Sequence, residues 1–421
     1  MVINTRRAVV LSALGVGAAL TLGAPNAWAD HPSQGTASQG TASQGAASEG
    51  AAGTKPAIKA AASRAVASAA PAARTAPARR TQTVRTTGRT TARAQPGLSI
   101  TDPGQSPFDL SSGPTPAAEL SGIAYSGGTD YYAVGDDGAT SIWQVYTSLN
   151  GMNGLIRSSV VTGGLPAPGL GADSEGIAVR RETNSAWVSD EIASSITEFS
   201  LATGAQIGTV AVPSIYRSAN VQNNMGLESL SYAAGVLWTA NEEALRPDGE
   251  LSTTTAGSWV RIQQFGGTGM SAQSQYAYRT DPISEMSPFI TVERSGLVDL
   301  LALPDGRVLS LERELGGFLP HFRSRIYLLD FTGATDVSAV PTLSAGGFTA
   351  VTKTLLWQGL FGFSNFEGIT LGPRLRDGSY GILLVSDNGS GQLGQRQTVL
   401  PLVLRGLTIS PGSTPPATSV V

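Results

Sequence analysis

The chain is 421 residues long, 41% hydrophobic and 14% charged, with no cysteine and two histidines, His31 and His321. That is enough apolar chain for one large domain or two ordinary ones, and the lack of cysteine excludes a disulfide scaffold, a Cys-ligated metal centre and a thiol nucleophile. The net charge of -3 conceals a split, with 11 Lys+Arg against 2 Asp+Glu up to residue 95 and 17 against 29 after it, so the later part is acidic and suits cations rather than nucleic acid.

Residues 1–29 read as a secretory signal peptide. Arg6 and Arg7 precede an apolar run from Ala8 to Leu22, and Ala27-Trp28-Ala29 forms a small-x-small cleavage site. The paired arginines fit either a twin-arginine or an ordinary export signal, and both place the mature protein outside the cytoplasm. No later stretch is apolar over a membrane-spanning length. Residues 30–97 read as a disordered linker, with pentads such as SQGTA at Ser33 and Ser38 followed by an Ala/Thr/Arg-rich stretch. Such a composition buries too little apolar surface to offset its ordering entropy. Its arginines also suit an arm that associates with an anionic cell surface.

A two-strand pattern then recurs, with copies starting at Leu120, Asp173, Gly226, Gly296 and Asn365. Each is an apolar run, a turn rich in Gly, Asn or Asp, a second apolar run and a polar cluster, which is the pattern of a β-hairpin. Taken at Gly122, Gly176, Ser229, Asp299 and Gly368, the copies lie 54, 53, 70 and 69 residues apart. Propeller blades need about 40–50 residues plus loops, and strand-like runs after the hairpins, such as Ser195 to Leu201 and Ser258 to Phe265, supply outer strands. No 3.6-residue period persists. The expectation is an all-β chain with a single β-propeller over 98–410 and a flexible tail at 411–421. Five hairpins are visible, and six blades are expected if the run Val399 to Leu404 forms a degenerate blade with Leu98 to Ile100. Trp143, Trp187, Trp238 and Trp357 fall in or beside strands and read as core, and Ser390 as a loop serine.

In an antiparallel hairpin the start of the first strand lies beside the end of the second. The first group is Ser121, Glu175, Glu228 and Glu367. The second is Asp136 and Asp137, Asp190 and Glu191, Asn241 with Glu242 and Glu243, Glu312, and Asp387 with Asn388. Around one axis these residues form a carboxylate ring at one mouth of the channel. Like charges so close raise one another's pKa, and a hard cation held by oxygen ligands, Ca²⁺ above all, relieves this. Asp136, Asp190, Glu191, Glu242, Glu312 and Asp387 are therefore candidate metal ligands, against the plainer reading in which each ends a strand or makes a turn. A second constellation, Arg313, His321, Arg323 and Arg325, suits phosphate or carboxylate oxygens. Its alternative is ion pairing of Arg313 and Arg325 with carboxylates such as Glu312 or Glu367. There is no G-x-S-x-G, no P-loop lysine and no helix-opening G-x-G-x-x-G.

The phrases DSEGIA at Asp173, GLESL at Gly226, LERE at Leu311 with the later Arg325-Ile-Tyr, and FEGIT at Phe366 with Val385-Ser-Asp-Asn resemble the bacterial phytase-like family, labelled "esterase-like activity of phytase". The resemblance runs in order over 115–405. It implies a secreted β-propeller related to the calcium phytases, whose acidic mouth holds Ca²⁺ ions that bind phosphate and activate water. Glu175, Glu228 and Glu367 would then be metal ligands or catalytic bases, with Arg313 and Arg325 holding phosphate. The chain departs from that pattern in having Ser121 where other copies have Glu, and Val298-Asp299 where others have Glu-Gly. The leading expectation is a monomeric, secreted, Ca²⁺-dependent phosphoesterase acting on small phosphorylated substrates. Alternatives are a non-catalytic extracytoplasmic binding or scaffolding propeller with structural Ca²⁺, and a lactonase or carboxylesterase at the same mouth.

Overall fold

Every repeat in the sequence becomes the inner hairpin of one antiparallel sheet. The computed structural model describes residues 97–409 apart from 111–116, 118, 137, 139, 286–293 and 318–320. The expected signal segment, almost all of the linker and the tail lie outside the described residues, as does Asp137.

A short strand β1 (Ser99–Thr101) and a two-residue strand β2 (Phe108–Asp109) precede the first repeat. Blade I is β3 (Leu120–Gly127), β4 (Asp130–Gly135), β5 (Ser141–Leu149) and β6 (Ile156–Pro166). Blade II is β7 (Ser174–Arg180), β8 (Ser185–Asp190), β9 (Ser195–Ser200) and β10 (Gln206–Val210). Blade III is β11 (Leu227–Ala233), β12 (Val236–Asn241), β13 (Trp259–Gly266) and β14 (Ser271–Arg279). Blade IV is β15 (Arg294–Ala302), β16 (Val308–Gly316), β17 (His321–Asp330) and β18 (Thr352–Phe361), and blade V is β19 (Asn365–Arg374), β20 (Tyr380–Asp387) and β21 (Thr398–Arg405). The inner strands β3, β7, β11, β15 and β19 pack successively into a closed ring.

The ring has five blades, which corrects the expectation of six. The two segments assigned to a degenerate sixth blade do pair, Ile100 opposite Leu404 and Ser99 opposite Arg405. They pair inside blade V, where β1 is the outermost strand and β2 also bonds β21. The start of the domain thereby closes the ring as the fourth strand of its last blade.

Both faces of the inner strands are buried, because every blade packs there on two neighbours, whereas outer strands such as β10 and β18 stay largely open. This is why β16 and β20 read as unbroken buried runs rather than alternating ones. The core is a set of layers between blades. Leu120, Ile123 and Tyr131 meet Leu383, Val385 and Val399 between blades I and V. Val298, Leu309 and Leu311 meet Phe366, Ile382 and Leu384 between blades IV and V. Trp187 and Trp238 are buried in such layers, while Trp143 and Trp357 pack half-buried against them. The long connection after β17 covers the edge of blade III, bridging Tyr276 to Asp336, and the buried Arg261, paired with Asp248, donates to the carbonyls of Val337 and Val340. Among the described residues no helix is long and apolar enough to cross a membrane.

Candidate metal and active site

The inner hairpins share one irregularity at the same place. The ladder slips between Leu120 and Gly122, Ser174 and Ile177, Leu227 and Ser229, Leu297 and Asp299, and Phe366 and Gly368. A β-bulge leaves a residue without a cross-strand partner and re-aims its side chain. The residues so released are Ser121, Glu175 (with Gly176), Glu228, Val298 and Glu367. The three glutamates of the repeat therefore stand on bulges, and the bulges sit at the channel end where the second strands finish in Asp190, Asn241 and Asp387.

One carboxylate oxygen each of Asp136, Asp173 and Glu175 lie within 4.8 Å of one another, and the same is true of Glu175, Glu191 and Glu228. Glu175 belongs to both groups. Apart from Asp136, which reaches solvent at the rim but is hemmed in by protein on its other sides, these side chains are buried. Opposite them lies Arg313, whose Nη2 stands 2.9 Å from Glu242 Oε1 and 3.0 Å from Glu367 Oε1. Asn365 Nδ2 donates to Glu367 Oε1 at 2.8 Å and to Asp387 Oδ2 at 3.3 Å, and Asp387 Oδ1 accepts the amide of Gly389 at 2.8 Å. The mouth thus has a carboxylate side centred on Glu175 and a side with one fixed guanidinium.

Electrostatics follow from this crowding. Burial, and then the charges of Glu228, Asp136, Asp173 and Glu191, push the Glu175 carboxyl well above its usual range. Glu191 and Glu228 are raised in the same way. Burial and Asp387 push Glu367 up to about 8 against the opposing pull of Arg313. Burial pushes Asp387 up to about 6, and desolvation with the charges of Asp387 and Glu367 pushes Asp136 up to about 9. Such a cluster takes up protons or cations. The donor set is entirely oxygen, and the buried Oδ2 of Asp173 has no hydrogen-bond partner. These residues fit a hard divalent cation.

The structure distributes the remaining candidates differently. Asp190 closes its own turn, accepting the Ala193 amide at 2.5 Å, and lies outside both carboxylate groups. Glu243 accepts the Ser252 amide. Glu312 is fully buried on the opposite face of β16 from Arg313, since neighbours on a strand point to opposite sides. There it accepts from Tyr278 Oη and Lys353 Nζ, each at 2.5 Å, and from the Asp281 amide at 3.0 Å. His321, Arg323 and Arg325 pair with Gly316, Glu314 and Glu312 across the ladder and so share that face. Arg325 Nη2 is 2.7 Å from both Glu314 Oε2 and Ser284 Oγ, and Arg323 Nε is 3.8 Å from Glu314. Of the basic constellation, Arg313 stands in the mouth. Asp173 is an acid of the mouth outside the candidate ligands of the repeat pattern. Its signal in the sequence is its place two residues before Glu175, the same relation that Asn365 has to Glu367.

No curated protein matches the chain. Among solved structures it is similar to hydrazine synthase of Kuenenia stuttgartiensis (13% identity, TM-score 0.33, covering 69% of this chain and 63% of that one). It is also similar to the endo-arabinase of Bacteroides thetaiotaomicron VPI-5482 (12% identity, TM-score 0.35, covering 76% and 100%). A third likeness is to the WD40 propeller domain of Doa1 (9% identity, TM-score 0.29, covering 73% and 97%). The family described as "Esterase-like activity of phytase" matches residues 115–389, a span containing every inner strand and every carboxylate of the mouth, and the chain belongs to this phytase-like family.

Proposed function

We propose that the chain is a Ca²⁺-dependent hydrolase of small phosphorylated esters, working at the acidic mouth and delivered outside the cytoplasm by residues 1–29. The observation that carries this reading is the pair of carboxylate groups sharing Glu175, set in one mouth with the fixed guanidinium of Arg313.

Asp136, Asp173, Glu175, Glu191 and Glu228 would hold the cation or cations. Bound Ca²⁺ would supply Lewis acidity toward a phosphoryl oxygen and cancel the repulsion among these carboxylates. The chain's own groups do the rest. Glu242 and Glu367 immobilise Arg313, and its buried Nε has no hydrogen-bond partner. That donor and the guanidinium charge are available to an anionic oxygen as charge develops on it. Glu367, fixed by Arg313 and Asn365, would accept a proton from attacking water in its ionised form, which the metal-free mouth reaches only above about pH 8.

The deep burial of Glu175, Glu191 and Glu228 also suits a second reading, in which the cation is structural and the propeller a binding module. The deciding experiment is phosphate release from a panel of phosphomonoesters, including inositol hexakisphosphate, by the chelated protein and again with Ca²⁺ restored, with a lactone and an aryl acetate as further substrates. Turnover that requires Ca²⁺ and disappears in Glu175→Gln is the expected result. A Ca²⁺-dependent rise in melting temperature without turnover on any substrate would establish the structural role, and ester or lactone cleavage without phosphate release would establish a carboxylesterase.

A further inference from the structure

Immediately beyond the bulges the inner strands come to their closest approach. Blades I, II and V carry glycine there, and the backbones touch. A Cβ on Gly176 would lie 2.6 Å from the Leu230 amide nitrogen, and one on Gly368 would lie 2.7 Å from the Ser121 carbonyl oxygen. Blade III has Ser229 and blade IV has Asp299, which is 4% exposed. Asp299 Oδ1 accepts the amides of Leu300 at 2.8 Å and Leu230 at 3.4 Å, and its Oδ2 accepts the amide of Ile369 at 2.8 Å.

Leu230 lies on β11 and Ile369 on β19, the strands that flank β15 on its two sides. One carboxylate therefore ties three consecutive inner strands. Between blades V and I a single hydroxyl joins the strands, Thr370 Oγ1 accepting the Tyr125 amide at 2.9 Å, and farther along the junction of blades III and IV Ser231 Oγ accepts the Ala302 amide at 2.9 Å. Inner strands have a free edge whose amides need acceptors. Where glycine lets backbones meet, the spacing is set by contact. Between blades IV and V Asp299 takes that place, and between blades III and IV it does so together with Ser231 and with the bond from the Leu297 amide to the Glu242 carbonyl at 3.0 Å. The two tied amides stand two residues beyond Glu228 and Glu367, one on the carboxylate side of the mouth and the other against Arg313.

We infer that Asp299 is a positioning residue of the mouth, fixing the separation of Glu228 from Glu367 through the backbones of β11 and β19. The inference rests on the proposed cation-holding role of the mouth, and its test separates the two. Hydrogen exchange of the metal-free protein reads the tie whether or not cations bind. Ca²⁺ titration by calorimetry reads the positioning.

Asp299→Asn keeps the shape but sets an NH₂ group against a backbone N–H. It is expected to speed exchange at Leu230 and Ile369 by about tenfold or more, leaving Ile123 and Ile177 as in the wild type. Ca²⁺ affinity should fall by about tenfold or more. If Asp299→Asn does not fold, Asp299→Gly, which installs the residue of three other blades, is read the same way. Unchanged exchange at Leu230 and Ile369 would overturn the tie, and faster exchange with undiminished Ca²⁺ affinity would overturn the positioning role. Wild-type protein that takes up no Ca²⁺ would sink the metal reading, and with it the consequence drawn here for Ca²⁺ affinity, while the exchange pattern still decides the tie.

Discussion

Glu175 differs from every other acid of the mouth in belonging to both carboxylate groups. Glu175→Gln should therefore weaken cation binding at both, whereas Glu191→Gln or Asp136→Asn touches one group each. Calorimetric titration is expected to show the largest loss, about tenfold or more, for Glu175→Gln. Arg313 poses the complementary case. It is 5% exposed and is the cation paired with both Glu242 and Glu367. Removing one member of a buried ion pair leaves an uncompensated charge and costs about 3–5 kcal/mol. Arg313→Met should lower the melting temperature of the chelated protein and enlarge the rise produced by Ca²⁺, because more of the negative charge is then left for the metal to neutralise. An equal Ca²⁺ effect in variant and wild type would show that Arg313 and the cation act on separate charges.

At the scale of elements, bulge and closure decide the site. A regular ladder would pair Glu228 and Glu367 across to β12 and β20. The slip at each inner strand frees them for the mouth, and in blade IV the freed residue is Val298, so the acid arrives one place later and faces the neighbouring strands. Closure depends on the three residues of β1, whose Ile100 is 7% exposed and packs with Leu402 and Leu404. Ile100→Ala should cost about 2–3 kcal/mol, the lower part of the range for truncating a buried aliphatic side chain. Denaturant unfolding checks this. A loss below about 0.5 kcal/mol, the size of an ordinary surface substitution, would mean that the ring holds without its last strand.

For the whole molecule, the raised carboxyls make stability depend on pH. In the unfolded chain such groups lose their protons near pH 4. In the fold Asp387 holds its proton up to about 6, Glu367 up to about 8 and Asp136 up to about 9. Between these limits the folded chain binds more protons than the unfolded one, so stability falls as pH rises. The contribution of these groups is complete below about pH 4 and is lost in steps through 6, 8 and 9. The melting temperature of the chelated protein should decline from pH 5 to pH 9, and saturating Ca²⁺ should flatten that decline. A melting temperature that rises over this window without metal would contradict the crowding of the mouth.

The inner hairpins, their order and the end at which the acids gather were legible because each is a local pattern. Alternation and turn residues lie within about 20 residues of one another in every copy, and a Glu-small-apolar triplet joins them in three of the five. The sequence also determined the oxygen-only chemistry, through the absence of cysteine and the rarity of histidine. Tertiary structure alone decided the rest. Five blades rather than six follow from a pairing of Ser99–Thr101 with residues some 300 positions later, a long-range contact that no local pattern encodes. Glu312 and Arg313 are neighbours in sequence but face opposite sides of β16, so one is buried against Tyr278 and Lys353 and the other enters the mouth. Which face points to the channel depends on the bulge in the partner strand and on the packing of adjacent blades, and both exist only once the ring has closed.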